Sequence, residues 1–280
     1  MTTTLYTSQT LAIGVFMHPW TKLHGIYAQQ QLKEQAETDT VLAYYPYKRE
    51  LTQALLNGSI QVICTALREL PTKLPKGIVI GALSSRIPSS NCLVVSPNAL
   101  DDTQLFSLKE NAKVWVNSEI NKAQLASFRP DLTIEVSNLE ITDIYKSMTE
   151  GKHDACLLPA SMIQILDIDD SVYTVISFSP KEFTPEAGQG VVAYLVAEND
   201  LPTRRILKQV HNRATAQLTN VERKIKSLFK DDNIAAYCEK DKVGNFHVIA
   251  ATIVDNQLKT TRLSQSTSFH LAENCQANLL

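Results

Sequence analysis

Few residues in this chain could do chemistry, and they are scattered. Six histidines (His18, His24, His153, His211, His247 and His270) form no HExxH pair and no Cys/His cluster, so their spacing offers no metal site. Five cysteines (Cys64, Cys92, Cys156, Cys238 and Cys275) are odd in number, and several fall in apolar runs. None makes a CxxC pair, so reduced thiols are the simplest account. Neither GxGxxG nor GxxxxGK[ST] occurs, which leaves nucleotide binding without a phosphate cradle. Three places remain. Glu69, with Arg68 before it and Pro71 after it, closes an apolar run. It reads either as a proton-exchanging carboxylate or as a solvated charge at a strand end. Gly188 and Gly190 bracket Gln189 after Pro185, a pair suited to a tight hinge as the chain re-enters a strand. His18, Pro19 and Trp20 follow the first apolar run, where α/β lobes bind ligands or pack an aromatic.

An alternation of elements must position these groups. LAIGVF, VLAYY, IQVICT, IVIGAL and CLVVS are apolar on consecutive residues and are separated by helical stretches such as KRELTQALLNG. A second alternation starts near Asp101 with KVWVN, a helix to Phe128, LTIEV, a helix to Gly151 and DACLL. That pattern predicts parallel sheets covered on both faces. From Thr203, apolar residues from Ile206 to Leu228 recur every three or four positions, predicting one long or gently broken helix. NIAAYCEK and FHVIAATIV around KDKVGN read as a small antiparallel unit, and the residues from Ser264 onward as a loose polar tail.

Composition narrows the function. The 280 residues carry 27 basic and 29 acidic side chains, a net charge of −2, with 44% hydrophobic residues. That balance belongs to a globular chain and lacks the basic face that nucleic acid requires. No apolar run approaches the roughly 20 residues of a membrane span, and no basic stretch precedes the first apolar one as in a secretory leader. A cytoplasmic protein, monomeric and without nucleic-acid or membrane partners, is the expectation.

Four segments, in order and at matching spacing, resemble the porphobilinogen deaminase (hydroxymethylbilane synthase) family. TALRELPTKLPKGIVIGAL is similar to its HSMKDVP stretch, LASFRPDLTIEV to its LAxxRPDL, EGKHDACLLPASM to its NGxYDAxxLAxAG, and TPEAGQGVVAYLVAEND to its PAxGQGAxxxE. The resemblance implies an α/β fold of two periplasmic-binding-protein-like lobes around a cleft, plus a small α+β C-terminal domain. One lobe would be residues 1–97 with 188–210, the other 98–187, and the end domain 211–280.

It also implies site residues for a tetrapyrrole-synthesis enzyme that joins four porphobilinogen units. Glu69 takes the place of the acid/base Asp that steadies the cationic azafulvene. Arg68, Ser118 and Arg86 fall at substrate-binding positions. Where the family holds acidic side chains with arginines, this chain has Phe16, Ile120, Asn121, Asn138 and Ile144. Lys230 stands at the position of the cysteine that anchors a dipyrromethane, and only Pro46 and Tyr47 replace the long lid. The expectation is therefore no cofactor, no metal and a departed site, with a small pyrrole or other small ligand in the cleft. The alternative is a non-catalytic ligand-binding or scaffolding protein on the same fold.

Overall fold

A computed structural model of the chain describes residues 10–17, 19–137, 141–165, 172–229 and 233–280. They fall into two compact units, one running through Ile87 and resuming at Gly190–Gln217, the other comprising Pro88–Gln189 and Leu218–Leu280.

The first unit contains β1 (Leu11–Phe16), α1 (Pro19–Ala36), β2 (Thr40–Tyr45), α2 (Lys48–Leu56), β3 (Val62–Ala66) and β4 (Ile78–Leu83). The chain returns to it as β10 (Val192–Ala197) and α6 (Leu201–Val210). The five strands form one sheet in the order β2-β1-β3-β10-β4. Both faces are buried: Ile13, Val15, Leu32, Tyr194 and Leu207 fill one side, and Leu51, Leu55, Ile63, Ala193 and Leu195 the other. Adjacent residues therefore serve opposite cores, which is why the strands read as unbroken apolar runs.

The second unit contains β5 (Asn91–Val95), β6 (Lys113–Val116), α3 (Glu119–Phe128), β7 (Thr133–Val136), α4 (Ile141–Thr149), β8 (Ala155–Pro159), α5 (Ala160–Ile165) and β9 (Thr174–Ser177). Its sheet order is β7-β6-β8-β5-β9. Most of α7 (Arg213–Leu228) follows, with β11 (Ile234–Lys240), β12 (Phe246–Val254), β13 (Gln257–Gln265) and α8 (Leu271–Leu279). The last three strands make an antiparallel meander.

The architecture is mixed α/β, and three details differ from the sequence reading. Both large sheets are mixed, not parallel: β10 runs antiparallel to β3 and β4, and β5 antiparallel to β8 and β9. Because Asn91–Val95 pairs in the second sheet, the first crossing lies between Ile87 and Pro88 and not near Pro97. Of the two forms read for the helical region, the broken one is found: it parts at His211 and Asn212, where Asn212 accepts from the Thr215 amide at 2.9 Å and starts a new helix. The tail is not loose. Leu271, Cys275 and Leu279, one helical turn apart, are buried at 0%, 0% and 3% exposure and dock α8 on the small sheet. Among the described residues no helix is long and apolar enough to cross a membrane.

Candidate functional site

In the first unit, the chain leaves β1 for β2 on one side and then crosses to β3 on the other, so the sheet's topological switch point lies between β1 and β3. In open α/β sheets the space beyond the carboxyl ends at such a point is where ligands bind. A cavity of about 170 Å³ lies there. Phe16, the last residue of β1, and Thr65, near the end of β3, line it with Thr21, Lys48 and Glu69. Leu51, Ile63, Leu70, Ile78 and Leu195 supply apolar walls.

Glu69 is aimed by its neighbours. Leu67–Glu69 form a short 3₁₀ turn whose first amide donates to the Val191 carbonyl at 2.8 Å. Leu67 and Leu70 are buried on either side, which leaves Glu69 exposed at the cavity with no hydrogen bond to its carboxylate among the described residues. Lys48, first residue of α2, places its Nζ 5.7 Å from the centroid of the Phe16 ring. The Thr21 hydroxyl donates to the Phe16 carbonyl and fixes the start of α1 against the end of β1. His24, on α1, lies within electrostatic reach of this turn. Burial pushes its pKa down, the Glu69 charge opposes that shift and Arg68 reinforces it. Its Nδ1 is buried without a hydrogen-bond partner among the described residues.

Of the residues named from sequence, Arg68 and Glu69 share this turn. Arg86 lies on the connection after β4 and does not line the cavity. Ser118 belongs to the second unit, where it caps α3 by accepting from the Asn121 amide at 3.4 Å. Ile120 and Ile144 are packing residues, 1% and 0% exposed, and Ile120 sits against Ala235 and Ala251 of the small sheet. Asn121 is buried and donates to the Asn117 side chain at 2.7 Å. His18, Asn138 and Lys230 lie outside the described residues.

Two of the sequence motifs turn out to be structural joints of the second unit. Gln189 donates its side-chain amide to the Ser89 carbonyl at 2.8 Å and to the Asn91 side chain at 2.9 Å. Gly188 and Gly190, with φ of 82° and 77°, take the left-handed backbone that glycine accepts without a Cβ penalty. Glu222 of α7, fully buried, accepts from the amides of Gly188 and Cys238, each at 2.8 Å. Arg129 and Asp131 of the RPDL segment form a two-pronged pair at 2.8 and 2.7 Å. Arg129 also donates to the carbonyls of Leu105 and Leu108, and the pairing holds the Asp131 carboxyl down at about 2. Lys48 and Glu222 escaped the sequence reading: one resembles any charge at a helix start, the other any acid on an amphipathic helix.

A mixed α/β chain with a carboxylate beside an apolar cavity at a switch point has the geometry of a pocket, without naming what fills it. Its family is more definite. The family model described as porphobilinogen deaminase, dipyromethane cofactor binding domain, matches residues 33–205. The chain belongs to the porphobilinogen deaminase family. It is 30% identical over 177 residues to the porphobilinogen deaminase of Sulfurimonas denitrificans, covering 63% of this chain and 55% of that protein. With that of Fusobacterium nucleatum subsp. nucleatum it shares 28% identity over 200 residues, covering 71% and 65%. The matches thus span less than two thirds of either relative. Among solved structures it resembles an arginine transport-system periplasmic binding protein from Legionella pneumophila, at 15% identity and a TM-score of 0.43, covering 72% of this chain and 92% of that one. It also resembles the GluR0 ligand-binding core of Nostoc punctiforme, at 14% identity and a TM-score of 0.42, covering 71% and 91%. Scores this low support no functional argument.

The family match corrects one expectation. The matched domain is the one that binds a dipyrromethane cofactor, so the reading that no cofactor is involved is overturned. In the family the group hangs from a cysteine, and here all five thiols are buried. Burial raises Cys64 and Cys92 above the ordinary thiol range, Cys156 to about 12 and Cys275 to about 11. Thiols held protonated and out of solvent are poor nucleophiles. They do not fit a thioether anchor as they stand.

Proposed function

We propose that this chain serves tetrapyrrole (haem) biosynthesis by binding a single small pyrrole at the Glu69 cavity, as a divergent member of its family. The observation that carries the reading is the size of the cavity. At about 170 Å³ it holds one ring, since an apolar cavity of about 150 Å³ accommodates a benzene. A growing chain of four pyrroles needs far more room, and several cations to hold its side chains. The positions that would supply those cations are instead packing residues such as Ile120 and Ile144. Glu69 faces the ring, where a carboxylate accepts a pyrrole N–H. The free, buried thiols accord with a reducing, cytoplasmic setting.

A second reading, retained deamination, is favoured by Glu69 itself. A carboxylate at that point could steady the cation left when ammonia departs. Calorimetry with porphobilinogen, run beside an ammonia assay, separates the two. Binding without ammonia release, weakened in Glu69→Gln, is the expected result. Ammonia release that vanishes in Glu69→Gln would establish the second reading, and absence of binding would refute both.

A further inference from the structure

We infer that Lys48 makes this cavity selective for a ring carrying one carboxylate, held between the Lys48 ammonium and the Glu69 carboxylate with the ring against Phe16. The inference rests on the pyrrole-site reading above and adds to it the charge the ligand must carry.

The lining decides the matter by elimination. Among the described residues that line the cavity, Lys48 is the one cation and Glu69 the one anion. The remaining walls are largely aliphatic, and burying an ionised group against them unpaired costs several kcal/mol. Two of the lining hydroxyls are already committed as donors. Thr21 donates to the Phe16 carbonyl, and Thr52 donates to the Lys48 carbonyl at 2.9 Å. An anionic substituent inside the cavity is therefore met by Lys48. The lysine is in place for that role because its ammonium already stands over the Phe16 ring at 5.7 Å. A planar ring seated on Phe16 would bring an attached carboxylate to it.

Glu69 sets the polarity of the arrangement. It repels a carboxylate and accepts a ring N–H, so the ligand's donor and its anion are sent to different sides. A second carboxylate within the cavity would meet Glu69, largely aliphatic walls and no cation beyond Lys48, a single Thr65 hydroxyl being its remaining polar neighbour, and must stay outside in water. Lys48 is exposed and its ammonium makes no hydrogen bond among the described residues, so changing the side chain disturbs no core.

The test is a calorimetric comparison of pyrrole-2-carboxylate with pyrrole-2-carboxamide, nearly equal in shape and different in charge. The wild-type protein should bind the acid about fivefold more tightly than the amide, as befits a partly solvated ion pair. Lys48→Met should erase that preference while still binding the amide, and Lys48→Arg should restore it. Raising the salt concentration should weaken binding of the acid and leave the amide unchanged. Equal affinity for the two probes in the wild type, or a preference that survives Lys48→Met, would overturn the role of Lys48 and leave the pyrrole site standing. Failure of the wild type to bind either probe would overturn the site and this inference together.

Discussion

Replacing Glu222 by Gln tests what holds the GQG segment. The wild-type carboxylate offers one oxygen to the Gly188 amide and the other to the Cys238 amide, each at 2.8 Å. An amide side chain has only one oxygen. Whichever way it flips, its NH₂ group confronts one of the two backbone N–H groups that the carboxylate oxygens serve. The loss is one buried bond to a charged acceptor, with a donor facing a donor in its place, about 2–4 kcal/mol. Against a total stability of about 5–15 kcal/mol that is a large share. It should lower the midpoint of thermal unfolding by about 5–15 °C. Urea denaturation followed by circular dichroism measures the cost. Hydrogen exchange at the Gly188 and Cys238 amides locates it, since only those two should lose protection ahead of their surroundings. A Glu222→Gln protein within about 0.5 kcal/mol of wild type, with both amides still protected, would refute the argument.

Three further outcomes follow from the same structure. Asp131, held down at about 2 by Arg129, contributes stability that is complete above its unfolded value near 3.8 and is lost as the pH falls toward 2. Wild type should therefore exceed Asp131→Asn in stability at pH 6, and the gap should close over that acid range in urea titrations. Leu271→Ala, which empties a fully buried position under α8, should cost about 2–5 kcal/mol, and an effect under 0.5 kcal/mol would show that the helix is not docked. The five buried thiols should resist Ellman's reagent in the native protein and react together in denaturant. A thiol that reacts at once in buffer would contradict its burial.

The sequence announces elements more clearly than their partners. The apolar run of β5 marks a strand, yet nothing local tells whether Asn91–Val95 pairs with the sheet behind it or the one ahead, because that is decided by residues far along the chain in β8 and β9. For the same reason β10, which separates β3 from β4, could not be read as an antiparallel strand inside the first sheet. The helix α8 was hidden because Glu273, Asn274, Gln276 and Asn278 surround a stripe only three residues deep. At the site, Glu69 was legible from its setting between Arg68 and Pro71. The cavity beside it was not, since its walls come from β1, α2, β3, β4 and β10, which only the folded sheet assembles.

The position of β10 also fixes an order of events. The strands of the second sheet all lie between Asn91 and Ser177, so that sheet has every strand it needs before β10 leaves the ribosome. The first sheet begins earlier but has a gap between β3 and β4 until Val192–Ala197 arrives. Until then β3 and β4 both present open edges, the state in which strands pair with the wrong partner. Closing the gap spans the whole excursion through the second unit, an entropic delay that local contacts do not carry. Of the two five-stranded sheets, the one that starts first is thus the one that finishes last, and the cavity beside Glu69, walled in part by Leu195, exists only once that late strand is home.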